Sequence, residues 1–122
     1  MSKGSALVRG GYTAPSVSTL VSIATDDDLT PAIDIREAAF GGLLIPATVN
    51  GTEITFTVSD TLAGTYYALK DSSNTAIKLT ISSATASAVP LPAEIFAFNF
   101  FKIATTTAQS TTDTQFIVTL KG

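Results

Sequence analysis

Residues 92–105 read PAEIFAFNFFKIAT. Four of the fourteen positions are phenylalanine, and the run admits three readings: amphipathic helix, strand, or a patch meant for another molecule. A helix would bring Ile95, Phe98 and Lys102 together and scatter Phe96, Phe100 and Phe101 around its surface. Strand period sets Phe96, Phe98 and Phe100 on one face, against Ala97, Asn99, Phe101 and Ile103 on the other. Pro92 suits the first position of a single helical turn, with Ala93 and Glu94 completing it. The stretch therefore predicts a short turn at 92–96 and a strand over about 98–105. Apolar residues on both faces predict that this strand is covered twice. One cover is its own sandwich. The other is a loop of the same chain or a partner.

The same period runs through most of the chain. TEITFTVS places Ile54, Phe56 and Val58 on one face, and TAIKLTIS does so with Ile77, Leu79 and Ile81. TQFIVTLK sets Phe116, Val118 and Leu120 against Ile117 and Thr119. Threonine is frequent in all three, and its branched β-carbon favours a pleated surface. Turn signals separate the runs. Asn50-Gly51 predicts a type I′ hairpin between LLIPATV and TEITFTV, because that turn needs positive φ at both central residues. DSSN predicts a second hairpin, between TYYALK and TAIKLTIS. Pro46 cannot donate to a ladder, so it predicts an edge strand or a bulge. Eight or nine strands follow, at about 17–24, 32–35, 42–49, 52–59, 64–70, 75–82, 87–90, 98–105 and 114–121. The expected fold is all-β: a jelly-roll-like antiparallel β-sandwich over residues 16–122.

Residues 1–15, MSKGSALVRGGYTAP, differ from this pattern. Gly4, Gly10, Gly11 and Pro15 punctuate them, and both charges, Lys3 and Arg9, are basic. They read as an extended arm, either frayed or ordered against a neighbouring subunit through Leu7, Val8, Arg9 and Tyr12.

Composition narrows the function. At 122 residues the chain is long enough for one domain with a real core. Charged residues make up 14 % of it, against roughly 25 % in a typical soluble domain. Depletion of charge is a mark of surfaces that meet other proteins, and also of Thr/Ser-surfaced secreted or virion β-proteins. The net charge of −3 argues against non-specific nucleic-acid binding. No run approaches the roughly 18 apolar residues that span a bilayer, and no signal-peptide core follows Lys3. The chain has no cysteine and no histidine, which removes thiolate metal sites, the commonest general base and every Ser–His–Asp triad. Asp26, Asp27, Asp28 and Asp34 are the densest charges, but consecutive carboxylates on a strand do not converge on one cation, and Thr30-Pro31 marks a turn. Gly41-Gly42 is followed by no Lys-Ser/Thr and reads as a bulge or a tight strand entry, not a phosphate loop. Of Tyr66 and Tyr67, one ring is expected outside. No enzyme, cofactor or metal site is expected.

Four pieces carry a resemblance: AIDIREAAFGGLLIPATVNGTEITFTVS, GTYYALKDSSN, LPAEIFAFNFFKIAT and TQFIVTLK, in this order within residues 32–122. Their progression resembles small β-sandwich proteins found beside the structural genes of tailed bacteriophages. Those proteins share an "ID" strand, a G-L-x-x-P-A strand, an L-T-F strand, an aromatic Gly-Thr-Tyr segment, a P-A-x-F turn leading to x-K-I, and a terminal I-x-V-x-L strand. The resemblance implies a virion accessory role, capsid decoration or cementing, often as a homotrimer bound to the major capsid protein on the outer surface of the shell. In that role the expected contacts are Leu7, Val8, Arg9 and Tyr12 of the arm, with Phe98 and Phe100. The alternatives are a carbohydrate- or receptor-binding module of a phage tail or fibre, for which the chain has no Trp and only three Tyr, and a self-associating tube or pilus-like subunit.

Overall fold

The computed structural model describes residues 16–109 and 113–122. Nine strands run in chain order: β1 (Ser16–Ile23), β2 (Ile33–Asp34), β3 (Phe40–Ile45), β4 (Glu53–Ser59), β5 (Tyr67–Ala68), β6 (Lys78–Thr80), β7 (Ser87–Pro90), β8 (Phe100–Thr105) and β9 (Thr114–Lys121). A 3₁₀ helix occupies Ala93–Ala97. The strands form two antiparallel sheets. Sheet A has the order β1-β9-β3-β7, and sheet B the order β2-β8-β4-β5, with β6 also pairing along β4. The pairing is nested: β1 with β9, β2 with β8, β3 with β7, and β4 with β5 and β6. It is that of one long hairpin folded over itself, so most connections cross between layers.

The core lies between the sheets. Phe56, Phe101 and Phe116 are fully buried, with Ile54 and Ile103 beside them. The rings of Phe56 and Phe101 meet at 6.2 Å between centroids, tilted by 55°, within the separation at which aromatic pairs attract and away from a face-to-face sandwich. Each such side chain contributes about 1.5–3 kcal/mol by leaving water. The alternation in TEITFTVS and TQFIVTLK selects these inward residues as expected.

The run at 92–105 is a turn and a strand, as expected, but the strand starts at Phe100. The helix seals Ile95 into the core, and the Phe98 N–H donates to the Ile95 carbonyl at 3.2 Å. Phe96 and Phe98 thus lie off the strand and do not share a face with Phe100 by strand period. Within β8, Phe101, Ile103 and Thr105 point inward and Phe100, Lys102 and Ala104 outward.

The turn signals divide. DSSN makes its hairpin: the Asp71 N–H donates to the Thr75 carbonyl at 2.9 Å, and Asn74 takes φ 62°. Asn50-Gly51 does not. β3 lies in sheet A and β4 in sheet B, so residues 46–52 cross between layers instead of turning a ladder. Only Gly51 of the pair has positive φ. Pro46 is also reassigned. β3 ends before it, at Ile45, and lies between β9 and β7, so Pro46 marks neither an edge strand nor a bulge. Gly41 and Gly42 lie inside β3. A β-carbon on Gly41 would stand 2.5 Å from the Thr119 carbonyl oxygen, so close backbone approach explains this glycine.

The crossover is held by Gln109, a fully buried polar side chain. Its Oε1 accepts from the Asn50 N–H at 2.9 Å and the Thr114 hydroxyl at 2.8 Å. Its Nε2 donates to the Asn50 carbonyl at 3.1 Å, the Thr107 carbonyl at 3.0 Å and the Thr105 hydroxyl at 3.2 Å. Its own N–H donates to the Asp27 carbonyl at 2.9 Å. The acidic run is accordingly a turn, with Asp26 at φ 70° and the Asp27 carboxylate accepting from the Asp28 N–H at 2.9 Å.

Candidate functional site

In an antiparallel ladder, residues directly opposite each other share a face. Leu20 is opposite Ile117, Ile117 opposite Leu44, and Leu44 opposite Ala88. One apolar row therefore crosses all four strands of sheet A. It points away from the core, because Phe116 and Val118 on either side of Ile117 are buried. Leu20 is 57 % exposed, and Leu44 and Ile117 are also open to solvent. Phe40, opposite Lys121, adds an exposed ring at one end of the same face. Ser18, Thr119 and Gly42 form the neighbouring row, and Lys121 is the one charge among the outward strand positions of sheet A.

Sheet B presents a different exterior. Arg36 stacks over the Phe100 ring at 5.2 Å from its centroid and forks onto Asp34, with Nε–Oδ1 at 3.0 Å and Nη2–Oδ2 at 2.7 Å. The Asp34 carboxyl is held below its ordinary value by the Arg36 side chain and, second, by the Arg36 backbone N–H. The guanidinium is raised in turn by the hydrogen bond to Asp34. Lys102 Nζ lies 4.3 Å from the Tyr66 ring centroid, the Tyr66 hydroxyl donates to the Leu62 carbonyl at 2.9 Å, and Lys78 pairs with Glu53 at 3.2 Å. Apolar groups on this face are thus covered by charged side chains, a solvent-adapted surface. On sheet A no described charge covers the row.

The expected contact residues fall into three groups. Leu7, Val8, Arg9 and Tyr12 lie outside the described residues. Phe98 is 36 % exposed and lines a surface depression of about 560 Å³ together with Tyr67, Ser59, Asp60, Thr61 and Lys70. Phe100 is corrected: it is 6 % exposed, and the second cover of β8 comes from the chain's own Arg36. It offers no contact surface in this state. Leu20, Leu44 and Ile117 are not among the expected contacts. The outward direction of Ile117 is legible in TQFIVTLK, but the row exists only once strands distant in sequence are paired.

Two further features complete the surface. The sheets splay at one side, where Val17 and Thr19 of β1 face Ala32, Asp34 and Glu37 across an open cleft of about 510 Å³. Among the described residues no cluster of three or more metal-ligating side chains occurs, and no helix is long and apolar enough to cross a membrane. Comparison with protein-family models, with curated proteins and with solved structures returned no match.

Proposed function

We propose that this protein decorates and cements a bacteriophage capsid, binding the major capsid protein at the outer surface of the shell as an oligomer. The observation that carries the reading is the contrast between the two sheets. The exterior of sheet B is dressed with ion pairs and stacked cations. That of sheet A carries the uncovered row Leu20–Ile117–Leu44–Ala88. A face with one charge and a continuous apolar row is what a protein partner desolvates at least cost. The nested pairing β1–β9, β2–β8, β3–β7, β4–β5/β6 supports a jelly-roll assignment, in which one long hairpin wraps into two Greek keys. The likeness to phage structural-region sandwiches supplies the partner class.

Mechanistically, sheet A lies on the shell and sheet B faces solvent. Copies joined to one another bind adjacent capsid subunits with an effective concentration that raises avidity by about 10²–10⁴ over one contact. Binding the expanded lattice and not its precursor stabilises the expanded state by mass action. The test is co-sedimentation of the purified protein with empty expanded capsids of the phage that encodes it. Ile117→Lys and Leu44→Lys should each weaken co-sedimentation about tenfold while leaving the melting temperature within a few degrees. Absence of binding by the unaltered protein sinks the proposal. A second reading, a glycan- or receptor-binding module of a tail or fibre, is favoured by the depression where Tyr67 and Phe98 are exposed beside Asp60 and Lys70. A glycan array without hits removes it.

A further inference from the structure

A β-sandwich has edges, and each open edge is a template for another chain unless it is blunted. Three of the four edges here are blunted. β2 has two residues. The β5/β6 edge is broken into a two-residue and a three-residue piece by the DSSN hairpin. β7 has four residues and ends in Pro90. The fourth, β1, reads SVSTLVSI: eight residues with no charge, no proline and no bulge in its register against β9. Among the described residues nothing pairs with its other side. It also supplies Leu20 to the apolar row and exposes Val17 at the mouth of the cleft.

We infer that β1 pairs antiparallel with β1 of a second copy across a two-fold axis perpendicular to the sheet, joining two sheets A into one eight-stranded layer. Length and symmetry select this occupant and this direction. No other described edge strand matches the eight residues of β1, so its own copy is the strand of this chain that can pair along all of it. Antiparallel self-pairing closes on a two-fold and keeps both faces of sheet A continuous, whereas two parallel copies related by a two-fold would have one sheet turned over. Parity fixes the register. A continuous sheet keeps its faces, so opposed residues must both be even or both odd in number, and a slip of one residue would turn Leu20 toward the core side. The register that buries the most exposed apolar surface sets Leu20 opposite Leu20 of the second copy. Val21 then meets Thr19, and Ile23 meets Val17, so every inward pair is β-branched. The row then runs unbroken from Ala88 of one copy to Ala88 of the other. The contact is distinct from the three-fold implied by resemblance. The two together would make six copies. It stands independently of the decoration reading.

The chain has no cysteine, which makes trapping clean. In the full chain, Leu20→Cys places two thiols opposite each other with β-carbons about 5 Å apart, within reach of a disulfide after small adjustment. Mild oxidation should convert it to a linked dimer at least about tenfold faster than Leu44→Cys, whose position on β3 lies far from the axis. By sedimentation at about 100 μM the unaltered chain should be dimeric or hexameric. Leu20→Lys juxtaposes two cations and should weaken association about tenfold or more. A monomer, a three-copy ring or an open polymer overturns the inference. So does equal linking of Leu44→Cys, which would mean that the apolar faces stack. Failure here leaves capsid binding untouched, since that is read by co-sedimentation with shells.

Discussion

Replacing Gln109 should destabilise this protein more than any single change on its surface. Five side-chain hydrogen bonds converge on one amide. They tie the 46–52 crossover to β8 and β9. Gln109→Leu keeps the volume and removes all five. The Thr107 carbonyl and the Thr105 hydroxyl keep each other, at 2.7 Å. The two bonds to the Asn50 backbone are lost at about 1 kcal/mol each. The Thr114 hydroxyl, on a fully buried residue, loses its acceptor at a cost of about 1–3 kcal/mol. The sum is about 3–5 kcal/mol, against a total of roughly 5–15 for a domain of this kind. By calorimetry the melting temperature should fall by roughly 10–20 °C. Gln109→Glu sharpens the test. Its carboxylate would be buried and would face the Asn50 and Thr107 carbonyl oxygens, so its folded pKa must rise above the unfolded value of about 4.3. A raised acid binds its proton more tightly in the folded state. The variant is then least penalised below about pH 4.3 and loses stability relative to the parent as pH rises through its folded pKa. A loss below about 1 kcal/mol for Gln109→Leu, or a Gln109→Glu penalty that does not change between pH 4 and 8, would refute the account.

Three further changes test other parts of the fold. Gly41→Ala drives a methyl group to 2.5 Å from the Thr119 carbonyl and should cost about 2–3 kcal/mol in urea denaturation, because backbone cannot yield as a side chain does. Thr57 carries a buried hydroxyl with no partner among the described residues, so Thr57→Val should stabilise by about 1 kcal/mol, read by the same denaturation midpoint. Arg36→Ala removes the side-chain donors that hold Asp34 down but leaves the backbone N–H at 3.0 Å. The Asp34 carboxyl should therefore move back toward, without reaching, its ordinary 3.8 in a carbon-detected NMR titration. In the parent, the stabilisation from this depressed carboxyl is present above the unfolded pKa and is lost as pH falls through the folded one.

The parts of the fold legible in the sequence are those governed by neighbours two residues apart. Ile54, Phe56 and Val58, and Phe116, Val118 and Leu120, are selected for the core by alternation alone, and the chain buries all six. The DSSN turn is equally local, since Asp71 accepts from the backbone of Ser73 and Thr75 within its own loop. What fails is pairing. Asn50-Gly51 signals a positive φ, and Gly51 has one. The flanking strands nevertheless lie in different sheets, and the segment between them is held by Gln109, 59 positions from Asn50. Phe100 fails for the same reason. Its period is right, but the side chain that covers it, Arg36, comes from the far end of the β2 segment. The candidate face is the extreme case, because Leu20, Leu44 and Ile117 are unremarkable as isolated outward residues and become a site only in register.

That register gives β1 a double role. Leu20 belongs both to the row that faces outward from sheet A and to the edge that runs along its side. A charge there would blunt the edge, as Pro90 limits the short β7 at the other side of the sheet. The strand carries none, and Ser18 reaches across to Thr119 at 3.1 Å in place of an ion pair. A solitary protein gains nothing from letting its longest described edge and its apolar row meet at β1, where they form a template for aggregation. Two copies joined through β1 remove that template and double the length of the row. A partner surface able to hold one Leu44 could then hold two at a fixed spacing, and the second contact would form at the effective concentration set by the first. Leu20→Lys should consequently weaken shell binding more than Leu44→Lys, because it removes the pairing together with one side chain of the row. Equal losses for the two variants would show that the edge and the face act separately.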